Sequence, residues 1–136
     1  IAANVDFVFC PVEDLESLSG EKFDLAINIA SMQEMNSETV RRYFQFLRRT
    51  LNTDGHFYCC NREEKVMSGG EVSRLSDYPW KAGDKNIWDE VCPWYRFFLS
   101  SHRTPKGPRI GNMRVPFMNT FDGVVRHRLV KLASTS

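Results

Sequence analysis

Three polar side chains stand where an apolar run ends. In the stretch 23–35, FDLAINIASMQEM, five of the first seven residues are apolar, yet Asn28 interrupts the run and Gln33 and Glu34 follow it. A carboxylate can accept a proton as a general base, and an amide can orient a hydroxyl or a backbone group. The competing account of Glu34 is a solvated acid just ahead of a helix, of Gln33 a side chain facing water, and of Asn28 a cap for nearby backbone. His56 and His127 lie in later strand-like runs, where a lone histidine is more often structural than catalytic. DYPW, residues 77–80, offers the aromatic faces of Tyr78 and Trp80 for stacking on a sugar or base, with burial against a sheet as the rival account. Asp77, Glu63 and Glu64 are too scattered for a carboxylate cluster, so no metal site is expected.

The elements that would position these groups follow from periodicity. Residues 5–10, VDFVFC, form a short β-rich run stopped by Pro11. EDLESLSGEK reads as a turn of helix and a loop. FDLAINIA is nearly continuous in apolar residues, as a strand covered on both faces would be. A helix follows, with Asn36 or Ser37 as its cap and Val40, Phe44, Leu47 and Leu51 along one stripe. NTDG, 52–55, closes it, and HFYCC, 56–60, is the next strand, with His56 expected near the edge that carries Glu34. Strand, helix and strand with short connections imply a right-handed crossover and an open α/β sheet, in which ligands sit beyond the carboxyl ends of the strands. From 61 to 89 the periodicity fails, and the stretch reads as a lid or mobile loop. WYRFFLSS, 94–101, is a further expected strand, 102–117 a loop, and GVVRHRLVKLA, 123–133, a final strand.

Composition narrows the class. The chain of 136 residues is 42% hydrophobic and 26% charged, which suits one globular domain with its own core. No apolar run reaches the roughly 18 residues that span a membrane, and no leader is evident. Four cysteines without a Cys-x-x-Cys spacing read as free buried thiols of a cytoplasmic protein. Residues 1–40 carry eight acids and one lysine, whereas 96–136 carry eight Lys or Arg and one acid. Solvated faces account for such asymmetry. A surface receiving an anionic group, such as a phosphorylated substrate, is the alternative.

FVFCPVEDL, FDLAINIASMQEM, VRRYFQFLRRTLNTDGHFYC and VVRHRLVKLA, in that order, resemble the second half of a class I S-adenosylmethionine-dependent methyltransferase. INIASMQEM with DGVVRHRLVKLA is more narrowly similar to the sugar O-methyltransferase group. The resemblance implies a Rossmann-like sheet whose final strand runs antiparallel, S-adenosyl-L-methionine as cofactor, and a small sugar-containing acceptor. It places Val12 and Glu13 at the turn that meets adenine, and Asn28 and Ile29 beside the methionine moiety. It suggests Glu34 as base, and Gln33 beside the acceptor hydroxyl, with Tyr78, Trp80 and His56, singled out by their own chemistry above, as the candidate acceptor contacts. Pro11 stands where the family usually has an aspartate for the adenine amino group. The glycine-rich turn after the family's first strand and the acid that ends its second strand have no counterpart in these residues. The chain is therefore read as one domain, 1–136, corresponding to the C-terminal part of a methyltransferase domain. Two rivals stand beside this reading: a non-catalytic Rossmann-like interaction module, and an RNA-directed methyltransferase drawing on the basic C-terminal third.

Overall fold

A computed structural model describes residues 7–94, 109–114 and 123–133. A 3₁₀ segment, Val12–Leu18, leads into strand β1 (Phe23–Ile29). A 3₁₀ turn at Met32–Glu34 then precedes helix α1 (Ser37–Thr50) and strand β2 (Leu51–Arg62). Beyond lie a small hairpin, β3 (Glu64–Val66) and β4 (Val72–Arg74), a 3₁₀ turn at Leu75–Asp77 and strand β5 (Lys85–Val91). A second short hairpin, β6 (Arg109–Ile110) and β7 (Met113–Arg114), precedes β8 (Val125–Lys131). The main sheet has the order β1-β2-β8-β5. β1 and β2 are parallel, and β8 lies antiparallel between β2 and β5. The fold is thus α/β with a mixed sheet and an antiparallel last strand.

Helix α1 forms because its sequence caps and amphipathically patterns it. Asn36 Oδ1 accepts the N–H of Thr39 at 2.8 Å, which satisfies one orphan donor of the first turn. Val40, Phe44 and Leu47 are buried against Phe57 and Cys59 of β2, as the stripe predicts. The helix ends into β2 without a loop, and residues 52–55 are then accommodated by a register shift against β1. Gly55 is required there, because a Cβ would lie 2.9 Å from both Phe23 O and Asn52 N.

Several expectations are corrected. Phe7–Cys10 belong to no strand, and Phe9 is almost fully exposed; Val5 and Asp6 lie outside the described residues. Beyond Trp94 the strand expected at 94–101 also lies outside them, as does most of the loop expected at 102–117, whose described part is the β6–β7 hairpin. The segment 61–89 is not irregular. It completes β2, forms the β3–β4 hairpin and begins β5; short strands of this kind form because partners pair with them, not because their own pattern demands it. β1 is not covered on both faces. Among the described residues it is an edge strand, and Leu25, Ile27 and Ile29 are 52%, 61% and 56% exposed on the face away from α1.

Tyr78 and Trp80 pack into the core. The Phe44 ring meets Trp80 at 4.8 Å and Phe57 at 5.5 Å, both edge to face, and Tyr78 is 7% exposed. Trp80 Nε1 donates to Leu75 O at 2.8 Å, so the indole is anchored at its polar end. Burial pushes the Tyr78 phenol up to about 12. Replacing Trp80 or Tyr78 by alanine should therefore cost about 3–5 kcal/mol of stability, read as a lowered midpoint in denaturant unfolding. A loss below about 0.5 kcal/mol, the size of a surface change, would return the pair to an exposed loop.

Candidate functional site

Because β1 and β2 are parallel, their carboxyl ends lie side by side, with Asn28 opposite Cys59 and Ile29 opposite Cys60. Ala30 continues the ladder through its N–H to Cys60 O at 2.8 Å, then turns the chain with a left-handed φ of 57°. That conformation is uncommon for a residue with a Cβ. It throws the chain sideways into the 3₁₀ turn that carries Gln33 and Glu34.

A buried amide network fixes this turn. Asn61, fully buried at the end of β2, donates through Nδ2 to Asn28 Oδ1 at 2.8 Å and to Cys59 Sγ at 3.2 Å. Its Oδ1 accepts the Gln33 N–H at 3.2 Å. Asn28 Oδ1 also accepts the Met32 N–H at 3.3 Å, and its Nδ2 donates to Ser31 Oγ. Gln33, 6% exposed, accepts the Arg62 N–H at 2.8 Å through Oε1 and donates to Glu34 Oε1 at 3.1 Å through Nε2. Buried amides are stable only when so partnered. Gln33 therefore positions Glu34 and does not face water.

Glu34 sits above this network with its side chain 49% exposed and ion-paired to Lys65 of β3. The Lys65 ammonium, followed by the Gln33 amide, holds its carboxyl below the ordinary glutamate value. The group is ionised at neutral pH, open to solvent and sited at the carboxyl edge of a parallel pair. It can accept a proton or hold a hydroxyl.

The remaining expected site residues do not converge on it. In a parallel pair the starts of the strands share an edge, so His56, opposite Leu25, lies four residues or about 13 Å of strand below Cys60. It is not at the Glu34 edge. Val12 and Glu13 line a separate groove of about 290 Å³ between the first 3₁₀ segment and α1, with Thr39, Tyr43 and Phe46. Ile29 faces the uncovered side of the sheet, and Tyr78 and Trp80 lie in the core. His127 is engaged on both ring nitrogens, with Tyr58 Oη at 3.1 Å and Glu90 Oε1 at 3.3 Å.

Two important residues escape sequence reasoning. Asn61 carries a signal in hindsight, as a short amide closing an apolar strand; Lys65 carries none, because its partner lies 31 positions away. Among the described residues no group of His, Cys, Asp and Glu is placed to hold a metal ion, and no helix is long and apolar enough to cross a membrane. All four cysteines are free, and burial pushes the Cys59 and Cys60 thiols up to about 12, which makes them inert.

As for S-adenosylmethionine, the residues expected to hold it do not fit it together. The Asn28 amide is consumed by the network, Ile29 points to the other face, and Val12 and Glu13 open elsewhere. No family model, no curated protein and no solved structure matches the chain.

The Glu34–Lys65 pair predicts a defined pH response. Glu34 has a lowered pKa when folded, so its contribution to stability is complete above the unfolded-state value of about 4.3 and is lost as pH falls through the folded value. In an NMR titration Glu34 should ionise below the ordinary glutamate range, and Lys65→Met should move it back up. Identical titration curves in the two proteins would mean that the pair does not persist in solution.

Proposed function

We propose that this chain is the acceptor-side part of an S-adenosylmethionine-dependent O-methyltransferase domain, acting on the hydroxyl of a sugar-containing small molecule. The observation that carries the reading is the placement of a solvent-open, ionised Glu34 over a buried amide network at the carboxyl edge of parallel β1 and β2. The antiparallel β8 between β2 and β5 agrees with what the sequence resemblance implies. So do the uncovered apolar face of β1 and its outer edge, which has no strand partner among the described residues. Both are what one half of a larger sheet would present.

In this reading Glu34 takes the acceptor hydroxyl proton, and the Lys65 ammonium lies beside the oxygen on which charge develops. Gln33 positions the carboxylate through its Nε2. S-adenosylmethionine supplies the methyl group when bound, and the residues that would hold it are not brought together in the described chain. Location in the cytoplasm accords with four free thiols.

A second reading rests on the same bare face. Leu25, Ile27 and Ile29 form an apolar strip of the kind that marks an interaction surface, and a non-catalytic module would use it for a partner.

Turnover separates the two, and calorimetry tests the acceptor-side assignment. As the acceptor-side part, the chain alone should bind S-adenosylmethionine only weakly, with no saturation at roughly micromolar concentrations. In a catalytically active preparation Glu34→Gln should lower turnover by about 10²–10⁴ and leave cofactor affinity unchanged. Tight binding by the chain alone would overturn the acceptor-side assignment, and full turnover in Glu34→Gln would remove the base.

A further inference from the structure

The edge of the sheet opposite Glu34 gathers cations by topology alone. Lys22 directly precedes β1, Lys85 begins β5, Lys131 ends antiparallel β8, and Arg48 and Arg49 end α1. All five line one cavity of about 540 Å³, together with Thr53 and Asn52, and no carboxylate is among its lining residues.

The partners of these cations divide them into two kinds. Arg48 is fixed: it makes two bonds to Asp84, at 2.6 and 2.8 Å, and donates to Ala133 O and Pro79 O. Asp84 also accepts the N–H groups of Lys81 and Ala133. This buried pair forms a rigid wall. Arg49 and Lys131 instead hold exposed acids, Glu16 and Asp54, whose side chains are themselves 67% and 92% exposed. Such pairs are worth little, so an incoming anion can replace them. Asp24 is engaged through Asn52. Lys22 donates to Arg49 O at 2.6 Å, and Lys85 has no ion-pair partner among the described residues.

The carbonyl end of α1 accounts for cations near it, which covers Lys22 and Arg49. It does not account for Lys85 and Lys131, which line the same cavity from β5 and β8. Lys22 and Arg49 lie by β1, and Lys85 and Lys131 by β5 and β8, with strands about 4.8 Å apart. A single phosphate reaches one pair; a chain of phosphates reaches toward both. The volume falls within the roughly 300–1,000 Å³ of small-molecule sites.

We propose that this cavity binds the oligophosphate group of a small molecule, at the end of the sheet remote from Glu34. The assignment is independent of the methyltransferase reading, since none of its residues belongs to the Glu34 site.

The test is calorimetric titration of the 136-residue chain with inorganic tripolyphosphate and with orthophosphate at low salt. Tripolyphosphate should saturate with a Kd below about 1 mM, and orthophosphate should bind at least about tenfold more weakly. Lys22→Glu with Lys85→Glu should weaken tripolyphosphate at least about tenfold, and the neutral pair Lys22→Met with Lys85→Met should weaken it less. Unchanged unfolding midpoints will establish that both variants are folded. No saturation, equal affinity in the charge-reversed variant, or equal affinity for orthophosphate would each overturn the proposal. It would also be overturned by a single-stranded RNA oligonucleotide that displaces tripolyphosphate with affinity rising with its length, which would mark a nucleic-acid surface instead.

Discussion

The parallel pairing of β1 and β2 constrains everything else. Antiparallel neighbours can be joined by a tight turn, but a parallel pair needs a crossover long enough to return the chain to its starting edge. Here α1 is that crossover, and its buried stripe covers only one face of the sheet. One consequence is the bare strip of Leu25, Ile27 and Ile29 on the other face. A second is that both carboxyl ends emerge together, so Asn28 and Asn61 meet although 33 positions separate them. A third is that the end of α1 and the beginning of β1 meet at the opposite edge, where the basic cavity lies.

Two buried polar assemblies hold the two ends of this arrangement in different ways. At the carboxyl edge neutral amides share donors and acceptors, and each is satisfied without burying charge. At the other edge a full ion pair, Arg48 with Asp84, is buried and bonded to two carbonyls and two N–H groups. Its contribution is specificity more than net stability, because desolvating both charges offsets much of their attraction. It ties α1, the turn before β5 and the chain after β8 into one register, which no apolar contact at that place would specify as narrowly.

The elements with strong local causes were legible in the sequence. α1 shows its stripe and its Asn36 cap, and β1, β2 and β8 show apolar runs bounded by turn residues. Glu34 at a strand's carboxyl edge follows from chain order alone. The β3–β4 hairpin and β5 were not legible, because they are short, charged segments whose strand character comes from pairing, β3 with β4 and KNIWDEV of β5 with β8. His56 was misplaced for a topological reason: an early position in HFYCC means nearness to the start of β1, not to its end. Tyr78 and Trp80 were ambiguous because an aromatic in a turn-rich stretch looks alike whether it faces solvent or folds back over Phe44. The ring contacts of both with Phe44 separate the cases, and those are tertiary facts.

The candidate site contains a tension that its own geometry resolves. A general base works best with a pKa near the working pH, yet Lys65 lowers that of Glu34. The pair is partly exposed, and pairs of that kind are worth only about 0–1 kcal/mol, so in the proposed reading an acceptor hydroxyl entering between ammonium and carboxylate would displace it at small cost. On that proposal, weakening the contact with the ammonium would raise the carboxyl pKa, and the ammonium would face the oxygen that loses its proton. The amides beneath cannot yield in the same way, since each lost bond would leave a buried donor or acceptor costing about 1–3 kcal/mol. Glu34 and Lys65 thus form a part that can exchange partners, mounted on Asn28, Asn61 and Gln33, which cannot. A site needs that division between what moves with the ligand and what stays, and here it follows from which polar groups are buried.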